Sequence, residues 1–212
     1  MSGIPVREWQ LRSKRTEGGL ELLGARVAPG AINTTLQRAF AALDSKGRSF
    51  LLIRLDTTDR DGIEAALKQA SALVKGVRIS LAIDVATVGR LDLDRGLDTR
   101  GAGLLLDDVD ASTPPGALLH PSLEAVRFRP EFIAAARGSL RAEIVLRASL
   151  GIARDLGLAT LGSGDASDQD WSLASQFDYT SRDVDEERIA PAMRHPGFQR
   201  SQPDPPTFQL SR

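Results

Sequence analysis

Apolar and polar positions along this chain switch repeatedly between a period of two and a period near 3.6. "FLLIRLD" (50–56) is an almost continuous apolar run, the pattern of a strand buried on both faces. Ile63, Ala66, Leu67, Ala70, Leu73 and Val74 then recur at helical spacing, and Gly76 closes that helix. "VRISLAID" (77–84) alternates as a strand, and residues 86–100 carry a looser helical pattern. "AGLLLDD" and "LEAVRF" (123–128) read as two further strands. Pro130 suits a first helical position and opens one helix through "PEFIAAARGSLRAEIVLRASLGIARDLG". Its second half sets Ile144, Ala148 and Ile152 on one face, and Gly157 ends it. "LATLG" is a short strand, "DQDWSLASQ" a short helix and "FDYTS" a last strand. Upstream, "RTEGGLELLGARVAPG" predicts a hairpin that turns near Gly18 and Gly19, with a second strand to about Val27. Asn33 or Thr34 caps a helix through "TLQRAFAALDSKG", which Gly47 closes.

Strands and helices alternate from residue 50 to about 181, which implies βα units and a parallel sheet. The spacing suits an α/β fold of the TIM-like (β/α) barrel kind, with a doubly wound open sheet as the competing architecture. No G-x-G-x-x-G or G-x-x-x-x-G-K-[ST] follows a strand, which weighs against the open nucleotide-binding sheet. Residues 1–190 are expected to form a single domain. Residues 191–212, rich in Pro, Gln, Ser and Arg, read as a disordered or loosely draped tail.

Composition narrows the chemistry. The 212 residues are 42% hydrophobic and 26% charged, an ordinary globular profile. A formal net charge of −1 gives no global pull toward nucleic acid or an anionic membrane. There is no cysteine, so disulfides, thiol catalysis and cysteine-bound zinc are excluded; the absence fits a reducing cytoplasm. The first residues lack the apolar core of a secretory signal, and no apolar run reaches membrane-spanning length. The two histidines, His120 and His195, are read as solvated, and they are too few for a histidine-rich metal site. "LRSKR" and the acidic run at 183–188 read as solvated faces, and Trp9, Trp171 and Tyr179 as packing residues.

The order of these signals resembles a known family. "GLLLDDVDASTPPGALLHPSLEAVRFRPEFI" resembles the stretch D-D-F-G-T-G…L-K-I-D-R-S-F-V of the EAL family of cyclic di-GMP phosphodiesterases. "RASLGIARDLGLATLGSGDASDQDW" is similar to its A-x-x-L-G-L-x-V-V-A-E-G-V-E-T segment, and "FDYTSRD" stands where C-D-Y-V-Q-G would. "FLLIRLD" and "ISLAIDV" resemble the L-S-V-N-L-S and L-E-I-T-E strands. The resemblance spans roughly residues 8–190 and implies a TIM-like barrel whose first strand opposes the others. It further implies a site at the C-terminal mouth, where two metals about 4 Å apart would hydrolyse the dinucleotide.

The ligand positions implied by that resemblance are largely substituted here. The paired aspartates remain, as Asp107 and Asp108. The asparagine ligand becomes Arg54 and the glutamate of L-E-I-T-E becomes Ala82. The lysine and aspartate of L-K-I-D become Arg127 and Arg129; the two glutamates of A-E-G-V-E fall at Ser163 and Ala166, and the following glutamine near Asp170. The E-A-L signature has two registers, one on Glu21-Leu22-Leu23 and one on Gly24-Ala25. The D-F-G-T-G loop reads "DVDAS", and only about one short helix fits between Val27 and Phe50, so the barrel is shortened near its N-terminus.

Arginines cannot be deprotonated at working pH and repel a divalent ion. Residues 127 and 129 share a strand face by the period of two. The expected site residues are Arg54, Asp107, Asp108, Arg127 and Arg129, with no catalytic residue, metal or cofactor. These arginines and carboxylates form either an internal salt-bridge cluster, the stronger expectation, or a metal-free phosphate site. The expected role is a non-catalytic EAL-like regulatory module that acts through a protein partner. A metal-independent cyclic di-GMP sensor and a residual phosphodiesterase are the alternatives. Homodimerisation follows from the resemblance alone, and neither nucleic-acid binding nor membrane insertion is expected.

Overall fold

The structure, a computed structural model, describes residues 4–11, 18–22, 26–42, 48–73, 78–91, 96–99, 102–168, 170–181 and 187–189. The strands are β1 (Ile4–Leu11), β2 (Gly18–Leu22), β3 (Arg48–Arg54), β4 (Arg78–Asp84), β5 (Ala102–Val109), β6 (Leu123–Phe128), β7 (Ala159–Ser163), β8 (Tyr179–Ser181) and β9 (Glu187–Ile189). The helices are α1 (Ile32–Ala42), α2 (Arg60–Leu73), α3 (Val85–Val88), α4 (Pro130–Gly138) and α5 (Leu140–Asp155). Strands β2 to β8 lie side by side in chain order, each parallel to the next. β1 closes the ring, antiparallel to both β2 and β8, and β9 runs antiparallel along the start of β1. This is the expected α/β barrel with a reversed first strand, and ring closure rules out the open sheet.

The period of two divides the strand residues between two cores. Trp9, Phe50, Leu52, Ala82, Leu105 and Leu161, with Ala125 and Tyr179 against them, fill the barrel interior. Phe50 and Tyr179 meet edge to face at 5.1 Å, and Gly19 leaves the space that the Phe50 ring takes. The other strand faces, including Leu51, Ile53, Ile79, Leu81, Leu104, Leu106, Val126 and Phe128, pack under the helices. Their near-complete burial is why these strands read as continuous apolar runs.

Several boundaries differ from the sequence expectations. Gly18 and Gly19 lie within β2, opposite Gln10 and Trp9, rather than at the hairpin turn; residues 12–17 are outside the described set. The second strand is described over Gly18–Leu22, residues 23–25 are outside the described set, and Val27 makes an isolated parallel bridge to Leu55. α1 begins at Ile32, continuing a short 3-10 turn at Pro29–Ala31, so Asn33 and Thr34 are inside it. Of the looser helix at 86–100, the described residues show one turn at Val85–Val88 and no helix at 96–99; residues 92–95 and 100 are outside the described set. The long helix from Pro130 is two helices broken at Ser139, whose extended backbone (φ −142°) ends one and precedes the next. α5 buries Leu146, Leu150 and Ala153, whereas Ile144 is exposed. "DQDWSLASQ" contributes a 3-10 turn at Ala174–Gln176, not an α-helix, and β9 extends the sheet beyond the predicted last strand. His120 is buried, not solvated. Gly24, Ala25, Gly47, Gly76, His195, most of "LRSKR", residues 183–186 and the tail lie outside the described residues.

Candidate functional site at the barrel mouth

The site is the next inward layer above the hydrophobic plug. Arg54 stands two residues after Leu52, Asp107 two after Leu105, Arg127 two after Ala125 and Ser163 two after Leu161. Glu21, two residues after Gly19, pairs in register with Leu52, one level deeper. Each strand thus switches from apolar to polar as it reaches its C-terminal end, where barrel sites form.

A bulge brings both aspartates to the same mouth. Leu106 pairs with Val126 and Val109 with Phe128, so Asp107 and Asp108 together face the single residue Arg127. Leu106 and Val109 both return to the outer core. Asp108 takes a left-handed conformation (φ 57°), which aspartate tolerates better than most residues. Its backbone N–H donates to Asp107 Oδ1 at 2.7 Å.

Arg127 is the centre of the arrangement. Its Nε and Nη2 donate to Asp107 Oδ1 and Oδ2, each at 2.6 Å, and its Nη1 donates to Glu21 Oε1. All three side chains are buried, exposed by 4%, 7% and 1% for Arg127, Asp107 and Glu21. Trp9 Nε1 donates to the remaining Glu21 oxygen at 3.3 Å. Burial works to lower the Arg127 pKa, but the charges of Glu21 and Asp107 outweigh it and hold the guanidinium above its ordinary value. Arg54, about one-third exposed, sets Nε 3.2 Å from Asp107 Oδ2 and 3.7 Å from Glu21 Oε1, an ion contact without hydrogen-bond alignment. Its Nη2 lies 3.9 Å from Asp108.

Above this cluster opens a cavity of about 440 Å³ lined by Arg54, Asp108, Arg127, Arg129, Glu131 and Ser163, among others. Ser163 Oγ is buried and has no hydrogen-bond partner. Arg129 is not an inward strand residue: β6 ends at Phe128, and Arg129 is the N-cap of α4. It bonds Asp110 Oδ2 at 3.2 Å and borders the cavity from the rim. Asp110 also accepts from the Ser112 N–H and hydroxyl, and these bonds help hold its carboxyl below the usual range. The "DVDAS" loop is thereby closed on itself by a carboxylate where the resemblance has glycines. Asp84, in register with Asp107, caps α3 through the Thr87 N–H and pairs with Arg26 at 3.0 Å.

The structure therefore joins Arg54, Asp107, Asp108 and Arg127 in one network and leaves Arg129 at its edge. Two contributors were not among the expected site residues. Glu21 was legible only as one register of the E-A-L signature, and its signal is an acidic side chain at an inward position of a buried strand. Ser163 stood only as the position of a lost glutamate. The metal pair implied by the resemblance does not fit this arrangement. All four oxygens of Glu21 and Asp107 already meet N–H groups of Arg127, Trp9 or Asp108. A hard divalent ion needs about six oxygen ligands, and two guanidinium groups stand among the acids that remain.

In sequence, no protein-family model and no curated protein matches the chain. In structure, it is similar to the EAL domain of Mycobacterium smegmatis DcpA, at 15% identity and a TM-score of 0.60, covering 86% of this chain and 90% of that one. It is similar to the FimX EAL domain from Pseudomonas aeruginosa bound to c-di-GMP, at 13% identity and a TM-score of 0.55, over 85% and 87% of the two chains. Klebsiella pneumoniae BlrP1 in its manganese and cyclic di-GMP complex matches at 14% identity and a TM-score of 0.65, over 88% of this chain and 56% of that one. The chain has the fold of the EAL domains.

Proposed function

We propose that this protein is a non-hydrolytic EAL-fold module with a regulatory role in cyclic di-GMP signalling, exercised in the cytoplasm through a protein partner. The observation that carries the reading is the Arg127 fork, which consumes the Glu21 and Asp107 carboxylates that a metal-dependent hydrolase would need free. The exposed apolar residues Leu140, Ile144 and Val145 of α5 support an interaction role. The test is incubation of the purified protein with cyclic di-GMP and Mg²⁺ or Mn²⁺, with the linear dinucleotide followed by chromatography. No product above background is expected. Turnover that Asp107→Asn abolishes would overturn the reading.

A second reading, metal-independent binding of cyclic di-GMP, is favoured by one feature. The cavity is lined by the guanidiniums of Arg54 and Arg129, both more than one-third exposed, beside the partnerless Ser163 hydroxyl. Calorimetric titration in chelator should then show binding that Arg54→Ala and Ser163→Ala weaken. Absence of heat at high protein concentration would leave the partner-binding role alone.

A further inference from the structure

We infer that the Arg127 guanidinium fills the seat of a divalent cation, so that the mouth excludes such ions and becomes a cation site once that side chain is removed. The inference rests on the non-hydrolytic reading and deepens it. Glu21 comes from β2, Asp107 from β5 and Arg127 from β6, so acids from two distant strands converge on one positive group. Among the described residues, the carboxylates of Glu21, Asp107 and Asp108 each stand within 4 Å of the guanidinium of Arg54 or Arg127. The donors left behind are hard oxygens. Glu21 and Asp107 lose their fork, Asp108 lines the cavity, and Ser163 Oγ lines it buried and without a partner. A guanidinium at this position neutralises the acids at every metal concentration, which makes the folded mouth indifferent to divalent ions.

The test compares thermal unfolding of the full chain in chelator and in MnCl₂, with bound Mn²⁺ counted by electron paramagnetic resonance. Wild type is expected to be unmoved and to bind no ion at the mouth. Arg127→Ala is expected to melt lower in chelator and to gain roughly 5–10 °C when Mn²⁺ reaches a hundredfold excess over its Kd. Arg127→Ala with Asp107→Asn should lose that gain. Arg127→Lys retains the positive charge and should stay insensitive to Mn²⁺. If Arg127→Ala folds only with Mn²⁺ present, the inference stands; if it folds with neither, or folds and ignores Mn²⁺, it fails. It also fails if wild type is stabilised by Mn²⁺ or if the double variant responds like the single one. Stabilisation of wild type without hydrolysis would overturn this inference while leaving the non-hydrolytic function standing.

Discussion

Arg127 shows how a single side chain sets the character of a site. Breaking a buried ion pair from one side leaves a charge that the interior cannot solvate. Arg127→Met is therefore expected to cost about 3–5 kcal/mol in urea unfolding. Adding Glu21→Gln and Asp107→Leu should restore most of the loss, because apolar packing can replace a buried charge cluster at little net cost. A triple variant no more stable than the single one would show that these acids have other essential partners. At this scale the sequence was partly legible. Arg54, Asp107 and Arg127 point inward by simple alternation from Leu52, Leu105 and Ala125. The same rule misplaced Arg129, since β6 ends one residue before it and the period of two no longer applies.

At the scale of elements, the bulge and the broken helix matter most. Alternation sends Asp107 and Asp108 to opposite faces; the bulge opposite Arg127 sends both to the mouth. Nothing in "LLLDDVD" marks which residue pairs with which across strands. The α4–α5 break at Ser139 lets α5 start afresh, and its buried stripe runs through Leu146, Leu150 and Ala153. Sequence spacing put the apolar face on Ile144, Ala148 and Ile152, whereas docking on the barrel buries the neighbouring stripe. Leu146→Ala should cost about 2–5 kcal/mol, whereas Ile144→Ala should stay within about 0.5 kcal/mol. Chemical denaturation of the two variants checks this directly, and equal costs would mean the exposed stripe is covered.

At the scale of the whole molecule, stability responds to pH through His120 and, in stronger acid, through Asp84 and Asp110. His120 is buried; its Nδ1 accepts from the Ser122 N–H at 3.3 Å, and its Nε2 has no partner. Burial, with the nearby Arg60 charge adding to it, lowers its pKa below the ordinary 6.5. The unfolded chain then binds a proton that the folded chain refuses. Stability from this group is present above pH 6.5 and declines as the pH falls below that value. The melting temperature should drop from pH 7 to pH 5, and less so in His120→Gln; equal drops would place the titrating group elsewhere. Asp84 and Asp110, both held below their ordinary 3.8, add a further loss only in stronger acid. Among the described residues, no helix is long and apolar enough to cross a membrane. The sequence by itself determined the alternation of strands and helices, the inward positions and the concentration of charge at strand ends, because periodicity and burial are local properties. Tertiary structure decided the rest. Closure of β1 between β8 and β2 carries Glu21 to Arg127 across 106 positions of chain. The bulge brings Asp108 beside Asp107, and helix docking selects the buried face of α5. Those outcomes depend on which distant residues share space, and a guanidinium becomes a lock only when two buried acids reach it.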